Sequence, residues 1–132
     1  MSHVPLLLMS SAALALCLSC GGGDAGDEDS GPAVSEAAMA EAVTYFETVC
    51  TVCHGAVGKG DGPGSAGLDP QPRDLTDKAW QDSVNDQYIY DIIIRGGAAV
   101  GRSPVMPANP QLKSKPEVVQ GLVAKVRSLE GK

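Results

Sequence analysis

The stretch Cys50-Thr51-Val52-Cys53-His54 constrains this chain more than any other. Two thiols one helical turn apart, with an imidazole directly after the second, form the attachment signature of a c-type haem. Each thiol can add to one vinyl group of the same porphyrin, and the adjacent imidazole then lies under the iron. Competing chemistries fit less well. A redox CxxC sits at the start of a helix after a strand, in a βαβ setting that this sequence lacks. A zinc site needs four ligands, and beyond these three the chain offers only Cys17, Cys20 and His3, all near its N-terminus. A disulfide between Cys50 and Cys53 would close a loop too short to stabilise much.

Composition supports the same reading. The chain has 132 residues and only five aromatic ones, Tyr45, Phe46, Trp80, Tyr88 and Tyr90, few for a domain that must fill its own core. A buried porphyrin would supply the missing apolar volume. Charge is polarised along the sequence. Residues 37–94 carry three cations against nine carboxylates, whereas residues 95–132 carry seven cations against two. No basic patch interleaved with aromatics occurs, which argues against nucleic acid as a partner.

The N-terminal region reads as separate from the domain. Residues 1–19 hold an apolar run, Leu6 to Leu18, of signal-peptide length and too short for an ordinary membrane span. It ends in Cys17-Leu18-Ser19-Cys20-Gly21, which resembles the lipobox of bacterial lipoproteins, with Cys20 as the acylated residue. An ordinary secretory peptide cleaved near Ser19 or Cys20 is the alternative, and both export the protein. Residues 20–35, Gly-rich with Asp24, Asp27, Glu28 and Asp29, read as a flexible acidic linker. The domain then occupies residues 36–132.

Within it, Ser35 is a candidate N-cap for an amphipathic helix with Met39, Ala42/Val43 and Phe46 on its apolar side. This helix delivers the Cys50 motif at its C-terminal end. The Gly-rich run from Gly55 to Gly64 lacks the Gly-Lys-Ser/Thr ending of a P-loop and follows no strand. Its glycines would let the backbone pass close to a porphyrin. The pair Gly62-Pro63 is the expected source of a carbonyl for the Nδ1 proton of His54.

Cys-x-x-Cys-His-Gly, Gly58 to Pro63 (Gly-Lys-Gly-Asp-Gly-Pro), Pro72-Arg73-Asp74-Leu75-Thr76, Ile94-Arg95-Gly96-Gly97 and Met106-Pro107 follow in order. Together they resemble small class I cytochromes c, in particular the haem domains of the third subunit of cbb3 oxidases. The resemblance spans about residues 38–130. It implies an all-α cytochrome c fold of three to five helices around one covalently attached haem c, with crossing N- and C-terminal helices. It also implies attachment of the haem outside the cytoplasm, in keeping with an exported chain. In that family a glycine on the first helix meets an aromatic on the last. Here Ala42 and Lys125 stand at those places, so looser packing is expected, with the Lys125 stem over apolar surface.

The remaining elements follow from local signals. Asp74 to Trp80 is expected to form a short helix capped by Asp74 or Thr76. Arg73 and Trp80 are candidate donors to haem propionates, against the plainer readings of a surface salt bridge and a core aromatic. Asn85 or Asp86 caps a helix with Ile89, Ile92 and Ile93 on its apolar face and Gly96-Gly97 as its stop. Met106, in a proline-rich loop, is the candidate sixth iron ligand, because its thioether is soft and Met39 lies upstream on the cysteine helix. Ser114-Lys115-Pro116-Glu117 reads as a capping box opening the last helix, whose apolar stripe runs from Val118 to Leu129.

The expected protein is a non-enzymatic, exported, monohaem electron carrier, lipid-anchored through Cys20 on the periplasmic side of a bacterial membrane, with the outer membrane one option. Its partners would be redox proteins, among them a terminal oxidase or reductase complex. Arg95, Arg102, Lys113 and Lys115 are candidates to steer an acidic partner. Two alternatives stand beside it. One is a haem-bearing subunit wired into a larger membrane oxidase or reductase; the other is a haem enzyme or gas sensor with an open coordination site.

Overall fold

Helix α1, Glu36–Tyr45, starts where Ser35 takes an extended conformation and its hydroxyl accepts the Ala38 amide at 3.3 Å. In the computed structural model, which describes residues 33–132, this helix does not stop at Tyr45. It runs on through a π-helical turn, Phe46–Cys50, into α2, Thr51–His54. The Thr51 amide closes that turn on the Phe46 carbonyl, five residues back, so one extra residue is accommodated. Among the described residues there are no strands, and no helix is long and apolar enough to cross a membrane.

Helix α3, Lys78–Ser83, starts later than the sequence suggested. Asp77 is its cap, accepting from the Ala79 amide at 2.9 Å. Asp74 instead closes a turn of its own, accepting the Thr76 amide at 2.8 Å and the Thr76 hydroxyl at 2.7 Å. Helix α4, Asp86–Arg95, is capped by Asn85, whose side chain accepts the Tyr88 amide at 2.8 Å, and ends at Gly96 with φ +77°. Ile89, Ile93 and Ile94 are buried from this helix.

Helix α5, Pro116–Arg127, buries Val118, Val119, Leu122, Val123 and Val126, a stripe at helical spacing. Each such aliphatic side chain contributes on the order of 1.5–3 kcal/mol when removed from water. The expected capping box does not form. Lys115 is the N-cap, the Ser114 hydroxyl donates to the Gln111 carbonyl, and Glu117 accepts from Ser35 at 2.7 Å. The reason is register: Ser114 lies one residue outside the cap and Pro116 fills the first helical position.

The first and last helices cross, and the crossing is tight rather than loose. A Cβ placed on Gly121 of α5 would lie 2.8 Å from the Ala42 Cβ of α1, and Ala42 is fully buried. The small residue has moved to the last helix and the aromatic to the first. Phe46, 2 % exposed, lies under the Lys125 ammonium, 5.3 Å from the ring centroid. That cation–π contact holds the charged end of the Lys125 side chain over the ring.

Buried Gln81 ties α3 to α5. Its amide donates to the carbonyls of Leu75 and Val126 at 2.8 and 3.0 Å, and its oxygen accepts from Arg127 at 2.8 Å. A buried amide satisfied at every atom contributes stability; truncating a partner would leave it unpaired.

Candidate functional site

A recess opens between α1–α2, α4 and α5. Phe46, Leu75, Ile89, Ile92, Ile93 and Leu122 supply apolar wall, and Cys50, His54 and Met106 line the same space. The cavity proper measures about 80 Å³, and about 540 Å³ when the open space at its mouth is counted. Arg73 and Trp80 also line it. Arg73 is exposed, with its guanidinium 4.0 Å from the Asp77 carboxylate, and Trp80 packs partly buried against the core. Both are therefore at the recess, and the plainer readings hold for them as well.

The helix end that carries the motif is finished by the glycine run. Helices leave their last carbonyls without intrahelical partners. Here the Gly60 amide reaches the His54 carbonyl at 2.8 Å, and the Gly62 amide reaches that of Cys53 at 3.1 Å. A Cβ on Gly62 would lie 2.3 Å from the Thr51 carbonyl oxygen, which is why no side chain fits there. The glycines thus let the chain fold back against the helix end.

The partner of His54 differs from the sequence expectation. Its Nδ1 lies 3.1 Å from the carbonyl oxygen of Arg73, whereas the Gly62 carbonyl accepts from the Ser65 amide and hydroxyl, and Pro63 opens a 3-10 turn, Pro63–Ser65. The Gly run makes the contact possible indirectly. Gly58 accepts the Leu75 amide at 2.7 Å, drawing the Pro72–Leu75 segment alongside. A carbonyl can only accept, so the Nδ1 carries the proton and the Nε2 lone pair is left for a metal. Burial lowers the His54 pKa, against the opposing bond to Arg73, and so favours the neutral ring that a metal requires.

Cys50 lacks the activation of a redox thiol. Cys50 and Cys53 are both free and partly buried, and burial pushes the Cys50 thiol up to about 11. The thiolate is the nucleophile in disulfide exchange, and burial disfavours it at Cys50.

Met106 is held by two glycines that follow α4. The Gly97 amide donates to the Met106 carbonyl at 3.0 Å. A Cβ on Gly97 would lie 2.1 Å from the Ser103 carbonyl oxygen, and one on Gly96 2.7 Å from the Ala108 amide. Asn109 then satisfies the end of α4, its side-chain amide donating to Ile93 and its backbone amide to Ile94, at 2.7 and 3.0 Å. The sequence reading picked out neither Asn109 nor the Arg73 carbonyl.

Two free thiols, a metal-ready imidazole and an apolar recess fit a covalently attached tetrapyrrole, and an all-α framework built around them defines a c-type haem protein. The family model for cytochrome c matches residues 39–130, and the chain belongs to that family. Its cofactor is a covalently attached haem c, and its kind of function is haem-based electron carriage. No curated protein matches the chain.

Proposed function

We propose that this chain is an exported monohaem cytochrome c that passes single electrons between respiratory redox partners, with His54 and Met106 as its two axial ligands. The observation that carries the reading is that His54, Cys50 and Met106 line one apolar recess. The bound haem supplies iron that gains and loses one electron.

The chain's own residues do the rest. Cys50 and Cys53 would hold the porphyrin by thioether bonds. His54, oriented through its Nδ1 by Arg73, offers Nε2, and the Gly97-anchored loop offers the Met106 sulfur. Ligands fixed by backbone contacts move little when the charge changes, and the apolar wall keeps water away, both of which favour electron transfer over catalysis. Arg73 and Trp80, which also line the recess, would donate to propionates. Among the proposed steering cations, Arg95 is 3.5 Å from Asp91, Lys115 pairs with Glu41 and Arg102 donates to Tyr88 at 3.0 Å. A partner with acidic side chains would compete for them in a transient, salt-sensitive encounter.

The signal peptide, the acyl anchor at Cys20 and most of the acidic linker lie outside the described residues. They belong to the proposal as a lipid tether on the periplasmic side, with a terminal oxidase or a reductase complex as partner. The decisive experiment is the absorption spectrum of the reduced protein with and without carbon monoxide. An unchanged spectrum supports two protein ligands; rapid binding would overturn the closed site and favour an enzyme or gas sensor. Labelled palmitate incorporated by the wild type and lost in Cys20→Ser tests the anchor.

A further inference from the structure

A chain of hydrogen bonds of one polarity crosses from the cysteine-bearing helix to the methionine loop. Gln111 donates to the Tyr45 hydroxyl at 2.7 Å, Tyr45 donates to the Asn109 side-chain oxygen at 2.6 Å, and Asn109 donates to the Ile93 carbonyl at 2.7 Å. Bonds aligned in this way polarise and strengthen one another. Tyr45 ends α1, immediately before the turn that leads to Cys50, and Asn109 stands three residues after Met106.

We propose that Tyr45 is a positioning residue for Met106: acting through Asn109, its hydroxyl ties the methionine loop to the helix carrying Cys50 and His54 and sets how readily the sulfur leaves the iron. The inference rests on the His54/Met106 reading above. The other ties of the loop run to α4 and to its own neighbours, not to the helix that carries Cys50: Asn109 donates to the Ile93 and Ile94 carbonyls at 2.7 and 3.0 Å, and Arg102 to the Tyr88 hydroxyl at 3.0 Å. Gly97 holds the Met106 carbonyl, Ser103 accepts the Met106 amide at 3.3 Å, and the adjoining Val105 is 52 % exposed. Among the described residues, Tyr45 to Asn109 is the hydrogen bond joining residues 36–54 to residues 101–109. Without the hydroxyl, the partly buried Asn109 oxygen loses its donor and the loop opens more often. Burial raises the Tyr45 pKa, against the bond from Gln111, so the hydroxyl stays a donor at neutral pH.

An incoming ligand binds only the open form, so its apparent affinity tracks the open fraction. Losing a hydrogen bond of ordinary net strength changes that fraction by about three- to tenfold. The test is a titration of the full-length ferric holoprotein with imidazole, followed at the sulfur-to-iron charge-transfer band. Tyr45→Phe is expected to bind imidazole about three- to tenfold more tightly. Asn109→Ala should show a similar gain, and adding Tyr45→Phe to it should change little. Gly121→Ala, which weakens the helix crossing elsewhere, should leave imidazole affinity unchanged and so separates positioning from general loosening. Unchanged affinity in Tyr45→Phe, additive effects with Asn109→Ala, or an equal gain in Gly121→Ala would each overturn the proposal. If Met106→Ala binds imidazole no more tightly than the wild type, the ligand assignment itself fails, and the positioning role with it.

Discussion

The Nδ1 of His54 meets the carbonyl oxygen of Arg73, 19 residues further on, at 3.1 Å. Gly60 stands behind that contact with φ +79°, where a Cβ would lie 2.5 Å from the Pro72 carbonyl oxygen.

Gly60→Ala should therefore push the Pro72-Arg73 segment away from the imidazole. A side chain at positive φ, with a clash against backbone, costs on the order of 1–3 kcal/mol. Thermal unfolding of the holoprotein should show that loss. A weaker bond at Nδ1 makes the imidazole a poorer electron donor, so the reduction potential should rise. A potential equal to that of the wild type would show that Arg73 does not tune the ligand.

Met106→Ala removes the proposed sulfur ligand while leaving the backbone anchor at Gly97 in place. The oxidised protein should lose its sulfur-to-iron charge-transfer band, and the reduced protein should bind carbon monoxide. An unaltered spectrum would exclude Met106 from the iron.

Gly121→Ala brings a methyl group to within 2.8 Å of Ala42 at the α1–α5 crossing. Overpacking of this kind costs about 1–3 kcal/mol. In a domain of this size the midpoint of thermal unfolding should fall by at least about 4 °C. Adding Ala42→Gly should recover part of the loss, although a glycine inside a helix itself costs roughly 0.5–1 kcal/mol. No fall in Gly121→Ala would mean that the helices do not touch at this point.

Asp74 supplies a pH dependence. The Thr76 hydroxyl and amide hold its carboxylate below the usual aspartate range. A carboxylate with a depressed folded pKa stabilises the fold fully above its unfolded value and loses that contribution as pH falls through the folded one. The stability of the wild type should thus decline in acid more steeply than that of Asp74→Asn. The difference should be small, because the group faces solvent. Parallel acid profiles for the two proteins would remove Asp74 from the account.

What could be read from the sequence was local. Ser35 and Asn85 cap the helices that their spacing announced, because a cap bonds amides only three residues away. The Cys50 to His54 motif is equally local, since one turn of helix brings its groups together. Longer reach defeated the reading. The carbonyl facing His54 comes from Arg73 because the glycine loop folds back and draws in a segment remote in sequence. The exchange of small and aromatic residues between α1 and α5 is visible only once Gly121 is seen opposite Ala42. The lost capping box is a matter of one residue of register, the scale at which sequence patterns are weakest.

The wide turn at Phe46–Cys50 separates two tasks that share one length of helix. Each residue of an α-helix advances the side chain by about 100°, and an i to i+5 turn takes up one residue more than an ordinary turn. Everything after Cys50 is therefore rotated by roughly that angle from where an unbroken helix would place it. The turn thus sets Cys53 and His54 at a fixed angular offset from Ala38 and Ala42, which are committed to α5. One added residue lets a single length of helix turn one side to the joint that keeps the chain folded and another to the cofactor.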